Sequence, residues 1–315
     1  MPRLRTTPLE RSARLQSRGR LGELATAYLV LVKLRVVEQL LITTVPTMFV
    51  AERGVPRLWL IVATVLGGTL AAGGANAINM VIDRDIDALM DRTKHRPLVT
   101  GVLSPRHALV FAITLEVLAF VWLWWQVNLL SAVLAVAACL FYVFVYTLWL
   151  KRSSVENIVI GGAAGAVPVL IGWSAVTNRL DWAPVVMFAV IFVWTPPHFW
   201  ALAVKYKDDY GKAGVPMLPV VASFKTTATR IVAYTVVLWV MSMLVWPVAD
   251  LSWFYGVVAG VLGALFLLAA LRLYRVGTSD AQPSVVASEA MKLFVYSNVY
   301  ISVLFVAMGV DQLLR

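Results

Sequence analysis

The stretch from Leu58 to Asp91, LWLIVATVLGGTLAAGGANAINMVIDRDIDALMD, leads from an apolar run directly into four carboxylates within nine residues. The apolar part, 58–80, is long enough to cross a bilayer as one helix, which takes about 20 residues. At helical pitch, Asn79, Asp83 and Asp87 follow at i, i+4 and i+8, on one face over roughly 12 Å. An amide and two carboxylates in that register predict a divalent-cation site where the helix leaves the membrane.

The whole chain shares this apolar character. Of its 315 residues 60% are hydrophobic and 14% are charged, and the mean hydropathy is +0.81. Such a composition excludes a soluble domain. We predict an all-α polytopic membrane protein, with nine transmembrane helices in a bundle around a central cavity that opens to the cytoplasmic side. The predicted spans are 24–50, 58–80, 107–127, 129–149, 155–177, 183–204, 230–249, 252–274 and 290–311.

The basic residues predict how the bundle is oriented. All but four of the 27 Lys and Arg fall before residue 36 or in the stretches 83–107, 151–152, 205–230 and 272–292. Because basic residues are retained on the cytoplasmic side, we expect a cytoplasmic N-terminus and an outside C-terminus in a cell (inner) membrane. Residues 1–22 form a basic, disordered cytoplasmic tail in this prediction, and 23–315 form one transmembrane domain. The Arg-rich start also leaves a mitochondrial inner membrane open.

The net charge of +10 raises the question of partners. Since the basic residues are spread over loops that meet one membrane face, we expect anionic lipid headgroups of the bilayer or an anionic substrate, and no nucleic acid.

The first polar loop continues the acidic stripe with Arg92-Thr-Lys94-His95-Arg96-Pro97. Carboxylates bind Mg²⁺ and basic side chains bind phosphate oxygens, so the loop favours a diphosphate site. The alternative is a solvated helix end with local Asp–Arg pairs, each contributing only a few tenths of a kcal/mol.

A second polar loop, from Lys205 to Pro219, again sets carboxylates among lysines, with Lys207, Asp208 and Asp209 at its start. If both loops face one cavity, their acids hold metal ions that a diphosphate bridges. Lys151 and Arg152, at the cytoplasmic end of the fourth predicted helix, either bind the same anion or anchor the helix at the interface.

Two polar side chains lie inside predicted spans. Glu116 is costly against lipid, so we expect it to face the bundle interior or a cavity. His198 follows Pro196-Pro197, which we expect to break or kink the sixth helix, and broken helices are tolerated where they face a cavity. His198 is then either a contact to a bound group or a hydrogen-bonded core histidine.

These blocks together resemble the intramembrane aromatic prenyltransferases, and within them the protohaem IX farnesyltransferases. Asn79, Asp83 and Asp87 are similar to that family's Asn-x-x-x-Asp-x-x-x-Asp motif. The further blocks that carry the resemblance are Val45-Pro-Thr-Met48, Asn157-Ile-Val-Ile-Gly-Gly-Ala-Ala-Gly-Ala-Val-Pro168, Trp194-Thr-Pro-Pro-His198-Phe-Trp200 and Pro216-Met-Leu-Pro219.

Two positions depart from the family pattern. Lys33-Leu34-Arg35 replaces a usual Lys-Pro-Arg, which we expect to change only the entry into the first helix. The wider superfamily has a second Asp-x-x-x-Asp motif, whereas here Asp208 and Asp209 are adjacent and position 213 is Ala. We favour Asp209 as the metal-binding member.

The resemblance implies transfer of a farnesyl group from farnesyl diphosphate to a vinyl carbon of haem b, with Mg²⁺ as cofactor. It implies catalytic roles for Asp83, Asp87, Asp209 and Lys94, and a metal site made by Asp83, Asp87, Asp208 and Asp209. The diphosphate is expected to contact Asn79, Arg92, Arg96, Lys151, Arg152, Lys205 and Lys207, and the haem is expected to contact His198. A downstream haem A synthase or terminal oxidase is an expected partner.

Two alternatives remain open at this point. The first is a prenyltransferase of the same fold that acts on a quinone precursor or a chlorin. The second is a transporter or haem-handling assembly factor, although transporters place essential charges near the midplane rather than at one face.

Overall fold

The structure is a computed structural model that describes residues 22–315. Within that range nine helices are long and apolar enough to span a membrane, which confirms the predicted all-α, polytopic fold. These spans are α2 (Leu34–Glu52), α3 (Leu58–Ile82), α5 (Pro105–Gln126), α6 with its continuation (Leu129–Ser153), α8 (Asn157–Thr177), α9 (Trp182–Lys205), α12 (Phe224–Val248), α13 (Trp253–Gly277) and α14 (Pro283–Leu313). The predicted basic tail lies outside the described residues, apart from Gly22.

The first predicted span, 24–50, is wrong as a single helix. A short helix α1 (Gly22–Val32) ends at Lys33, which has a left-handed backbone with φ of 55°, and α2 begins at Leu34. The break carries the Lys33 side chain away from the lipid and towards Asn79. A buried ammonium needs a polar partner, so the position of Asn79 determines where the chain turns.

Four short helices belong to the polar-loop end or to the end of a span. These are α4 (Arg84–Leu89), α7 (Lys151–Ser153), α10 (Lys207–Lys212) and α11 (Leu218–Val221). They bring the polar residues that precede and follow the spans into folded segments rather than extended loops.

The fourth span changes its helical pitch halfway. α6 covers Leu129–Leu140 and continues as a ten-residue π-helix, Phe141–Leu150, before α7. Long π-helices are rare, and shorter π segments are frequent at functional sites. Here the segment carries the side chains that face the end of α3.

Pro196 and Pro197 were expected to break or kink the sixth span, and the structure shows no break. Both prolines are buried, and α9 runs without interruption from Trp182 to Lys205. Prolines are tolerated in membrane helices where neighbouring helices and hydroxyl side chains compensate the freed carbonyls. The carbonyls that lose an N–H donor here are those of Phe192 and Val193, and the Thr195 hydroxyl donates to the preceding carbonyl, that of Ile191, at 2.8 Å.

Small residues let the helices approach closely at α3. A methyl group at Gly67 would lie 2.4 Å from a Leu123 side-chain carbon, and one at Gly74 would lie 2.7 Å from Glu116 Oε1. Glu116 therefore faces α3 inside the bundle, as expected of an intramembrane acid.

Five of the six tryptophans that are at least 56% exposed lie at the end of the bundle opposite the polar loops, and the sixth, Trp149, lies at the polar-loop end. Trp59, Trp125, Trp182 and Trp253 stand at the helix ends on that side, and each has at least 56% of its surface exposed. Indole side chains concentrate at membrane–water interfaces. The belt and the polar loops therefore occupy opposite ends of the bundle.

Candidate active site at the polar-loop end

The acidic stripe forms one buried face at the end of α3. Asn79, Asp83 and Asp87 are 3%, 0% and 3% exposed. Although α3 ends at Ile82 and α4 begins at Arg84, the helical register continues, since Asp83 N donates to Asn79 O at 2.9 Å and Asp87 N to Asp83 O at 2.8 Å. The three side chains therefore meet on one face, as their spacing predicts.

The other two carboxylates of the stripe lie on its exposed side. Asp85 accepts two 2.7 Å hydrogen bonds from the Arg152 guanidinium, which lower the pKa of Asp85 to about 2. Asp91 pairs with Lys94 and Lys212, and both ammonium groups lower the pKa of the Asp91 carboxyl. Both acids are therefore occupied at the surface.

Basic side chains cover the buried carboxylates in this structure. Arg96 Nη1 donates to Asp87 Oδ2 at 2.5 Å, and Lys151 Nζ donates to Asp83 Oδ2. The Arg96 and Lys151 side chains are themselves only 19% and 17% exposed. Charged pairs at such burial interact strongly because little water screens them.

Lys33 is a site residue that the sequence interpretation missed. Its Nζ donates to Asn79 Oδ1 at 2.9 Å, while Asn79 Nδ2 donates to Asp83 Oδ2 at 2.7 Å. Burial, and then the charges of Arg96 and Lys151, lower the pKa of Lys33 to about 7. The sequence signal was a lysine inside an apolar run. From the sequence, only the Leu34 replacement beside it was considered, and Lys33 was assigned no role in the site.

The π-helix supplies a second set of missed residues. Thr147 Oγ1 accepts from Asn79 Nδ2 at 3.1 Å and donates to Tyr142 O at 2.8 Å. The Tyr142 and Tyr146 rings stack with their centroids 5.5 Å apart. Tyr146 also lies against α8, where a methyl group on Gly161 would be 2.3 Å from its ring. No periodicity in the sequence distinguishes this segment from an α-helix.

The two polar loops meet in the structure. Arg92 Nη2 donates to the Tyr210 hydroxyl at 3.2 Å, and the guanidinium carbon lies 5.4 Å from the centre of the Tyr210 ring. Lys212 reaches across to Asp91 at 3.4 Å. Beneath these contacts an apolar cluster joins Ile86 and Met90 of the first loop to residues of the second.

The second-loop acids differ in burial. Asp209 is 8% exposed, and its carboxylate has no hydrogen bond or ion pair within residues 22–315. Asp208 is exposed, as are Lys205 and Lys207. The burial supports the choice of Asp209 over Asp208.

Lys94, for which a catalytic role was expected, lies at the surface of the site rather than beside the buried carboxylates. It is exposed, and its ammonium is held 2.7 Å from Asp91 rather than beside Asp83 or Asp87. In this arrangement Lys94 extends the charged rim of the site.

A cavity of about 560 Å³ opens beside the acidic stripe at the polar-loop end. Its lining carries the cations of Lys33, Arg92 and Arg96 with one carboxylate, Glu23, and it has an apolar part that includes Val30 and Met80. An opening with cationic and apolar parts suits an anion that carries a hydrocarbon chain.

The arrangement of the carboxylates shows how well they could bind a divalent cation. No group of three or more His, Cys, Asp or Glu side chains stands ready to hold an ion within residues 22–315, so the four predicted ligands are not assembled around one point. However, Asp83 Oδ1 is buried, accepts no hydrogen bond and has Arg152 Nη2 at 3.9 Å. A buried carboxylate oxygen with no hydrogen bond is the donor type that Mg²⁺ prefers. The residues therefore fit such an ion once the ion pairs open.

His198 lies in the core between α9 and α14. It is 6% exposed, its Nδ1 is 2.6 Å from Ser297 Oγ, and its ring lies between those of Trp194 and Phe294. The hydrogen bond to Ser297 occupies one of the two ring nitrogens, Nδ1.

Comparisons with known proteins agree with this geometry. Residues 40–298 match the model of the UbiA prenyltransferase family. The chain is 53% identical over 294 residues to the protoheme IX farnesyltransferase of Streptomyces coelicolor, covering 93% of both chains. It is also 53% identical to protoheme IX farnesyltransferase 2 of Saccharopolyspora erythraea, covering 93% of this chain and 88% of that one.

Solved structures share the fold. A structure described for digeranylgeranylglyceryl phosphate synthase superposes with a TM-score of 0.74 at 17% identity, over 92% of this chain and 99% of that one. A UbiA homologue from Archaeoglobus fulgidus, solved with GPP and Mg²⁺, gives 0.63 at 19% identity, over 90% and 99%.

Proposed function

Because this chain belongs to the UbiA prenyltransferase family, and to the protohaem IX farnesyltransferases within it, we propose that it transfers the farnesyl group of farnesyl diphosphate to a vinyl group of haem b. The products are haem O and diphosphate. The observation that carries the proposal is the buried Asn79–Asp83–Asp87 face, closed by the cations of Lys33, Arg96 and Lys151.

The diphosphate is expected to bind where these cations converge. Arg96 and Lys33 line the cavity beside the stripe, together with Arg92. Hydrogen bonds from charged donors to phosphate oxygens are short and strong, and they gain strength as charge develops on the leaving group. In this structure Lys151 pairs with Asp83 and Arg152 pairs with Asp85. Either cation could exchange its carboxylate for a phosphate oxygen when the diphosphate binds.

Asp83, Asp87 and Asp209 are the residues that would hold Mg²⁺, with Asp208 and Lys94 at the rim. The ion, when bound, neutralises the diphosphate and makes it a better leaving group. Moving Lys151 and Arg96 away from the carboxylates frees Oδ2 of Asp87 and leaves Oδ2 of Asp83 with only its Asn79 hydrogen bond, and it releases two cations for the phosphate. The ion pairs of this structure thus keep the buried charges compensated before substrate arrives.

The reaction then follows from charge balance. The farnesyl C1–O bond breaks, the electron pair leaves with the diphosphate, and an allylic cation forms. The vinyl π electrons attack C1, a carbon–carbon bond forms, and water adds to the neighbouring carbon as hydroxyl after losing a proton. Early water would trap the cation, so the apolar cluster of Ile86, Met90 and Met217 under the loops excludes solvent.

The proposal includes the setting of the enzyme. The N-terminus is cytoplasmic, the C-terminus is outside, and the active site faces the cytoplasm of a cell membrane. A downstream haem A synthase or terminal oxidase receives the product. The prenyltransferase of a quinone precursor or chlorin and the transporter stay as rivals, and no contact in the described residues favours either.

An acceptor competition tests the proposal. Purified protein receives farnesyl diphosphate, Mg²⁺ and equal amounts of haem b and a phenolic quinone precursor, and mass spectrometry identifies the prenylated product. We expect only the haem to gain farnesyl plus water, and Asp87→Asn to abolish the product. Prenylation of the phenol alone would favour the first rival, and haem movement across vesicles without any prenylation would favour the second.

A further inference from the structure

The hydrogen bonds around His198 determine which of its ring nitrogens is protonated. Ser297 Oγ lies 2.6 Å from His198 Nδ1 and 2.7 Å from the Phe294 carbonyl oxygen. A hydroxyl has one hydrogen, and a carbonyl can only accept. The Ser297 hydrogen therefore goes to Phe294, and Nδ1–H of His198 donates to Ser297. In the neutral ring this leaves the lone pair on Nε2.

The ring is also fixed in direction. Trp194 stacks on one side with its centroid 4.3 Å away, and Phe294 stacks on the other side at 4.5 Å. Phe199 contacts it edge to face at 5.0 Å. The Trp194 indole N–H in turn donates to the Ser297 carbonyl at 2.8 Å, which ties α9 to α14 at this level.

Nε2 of this ring has no hydrogen-bond partner among residues 22–315. It does not belong to the completely buried polar atoms that lack a partner. A histidine that donates one ring N–H to an oxygen and presents the other nitrogen is the arrangement found at metal ligands. The two remaining histidines differ: His95 and His107 are exposed, and His107 Nδ1 is bonded to Ser104.

The position suits the proposed acceptor. His198 precedes Lys205 by seven residues on a continuous helix, which places it roughly 10 Å below the polar-loop end. The next residue, Phe199, packs in the apolar cluster that holds Ile86 of the acidic stripe.

We propose that His198 Nε2 binds the iron of the haem acceptor, and that Ser297 is a positioning residue that fixes the tautomer and direction of the imidazole. This inference rests on the proposed function for the identity of the acceptor. Iron coordination then orients the macrocycle before the prenyl group is transferred.

The first test compares two probes that differ only in the metal. Wild-type protein and His198→Ala are titrated with haem b and with metal-free protoporphyrin IX, without prenyl diphosphate. An iron contact predicts that His198→Ala lowers haem affinity about tenfold or more, and that protoporphyrin affinity stays within about twofold. An equal loss for both probes, or no loss for haem, would overturn the proposal.

The second test addresses Ser297. We expect Ser297→Ala to shift the visible spectrum of bound haem and to weaken haem binding by about tenfold, again without weakening protoporphyrin binding. Free imidazole should restore an axial-imidazole spectrum in His198→Gly. A Ser297→Ala spectrum identical to wild type would remove Ser297 from the proposal.

A third variant avoids the core altogether, in case changes at His198 prevent folding. The chain has three histidines, so His95→Gln/His107→Gln leaves His198 alone. Retention of an axial-histidine spectrum supports the proposal, and its loss overturns it.

Farnesyl transfer is measured separately by mass spectrometry. If product forms while the haem spectrum does not depend on His198, the iron ligand is rejected and the proposed function is kept. Haem bound through His198 with no product rejects the function alone.

Discussion

The ion pair of Asp83 and Lys151 allows the interaction energy between buried charges of the site to be measured. Their side chains are 1% and 17% exposed, and the two residues lie 68 positions apart in sequence. Two unit charges 4 Å apart interact by about 4 kcal/mol at an effective dielectric of 20. Losing one partner of a buried pair costs about 3–5 kcal/mol. Since Lys151 keeps some solvent, we expect a coupling near the lower end, about 3 kcal/mol.

A double-mutant cycle measures that coupling. Asp83→Asn, Lys151→Met and the double variant are unfolded in mixed micelles, and the free energy of unfolding is followed by circular dichroism without substrate or Mg²⁺. The single changes should each destabilise the protein, and the double variant should recover much of the loss because no unpaired buried charge remains.

The matched control is the exposed pair of Asp91 and Lys94, 63% and 61% exposed at a distance of 2.7 Å. Its cycle should show no measurable coupling, because surface pairs are screened by solvent. If Asp83 and Lys151 couple as weakly as this control, the buried ion-paired site does not exist in solution as described.

Three further outcomes are expected. Asp209→Asn should lower kcat at least tenfold more than Asp208→Asn, since only Asp209 is buried; equal effects would reject Asp209 as the metal-binding acid. Gly161→Ala should destabilise by about 1–3 kcal/mol, because its methyl group would lie 2.3 Å from the Tyr146 ring, whereas Gly165→Ala, with nothing within 4 Å, should be neutral in thermal unfolding. Chelation should abolish turnover and Mg²⁺ should restore it; activity that persists in excess chelator would exclude a metal-dependent reaction.

The membrane fold was predictable because it depends on properties that act locally. Length and hydropathy of a run decide whether it spans a bilayer, so nine spans were found in residues 22–315 as expected. The Asn79–Asp87 face was predictable for a similar reason. Helical register alone places those side chains together, and the register survives the change from α3 to α4.

Other features could not be predicted because they depend on partners far away in sequence. Lys33 breaks the first span so that its ammonium can reach Asn79, 46 residues later. The prolines of α9 suggested a break or kink, but residues 194–198 are buried against neighbouring helices and the helix is uninterrupted. The π-helix before Lys151 has the same composition as an ordinary apolar helix.

The choice between Asp208 and Asp209 shows the same limit at short range. Adjacent residues on a helix point about 100° apart, so one faces the bundle and the other faces solvent. The residue at which α10 begins, Lys207, determines which of the two aspartates faces the bundle. That start depends on how the second loop packs around Tyr210.

The most direct measurement is the mass of the porphyrin formed by purified protein from haem b, farnesyl diphosphate and Mg²⁺ in oxygen-18 water. We predict a product that carries one farnesyl group and one labelled hydroxyl, absent with Asp83→Asn. Unchanged haem, or a product formed equally well by Asp83→Asn, would contradict the assignment of this buried carboxylate face as the catalytic centre.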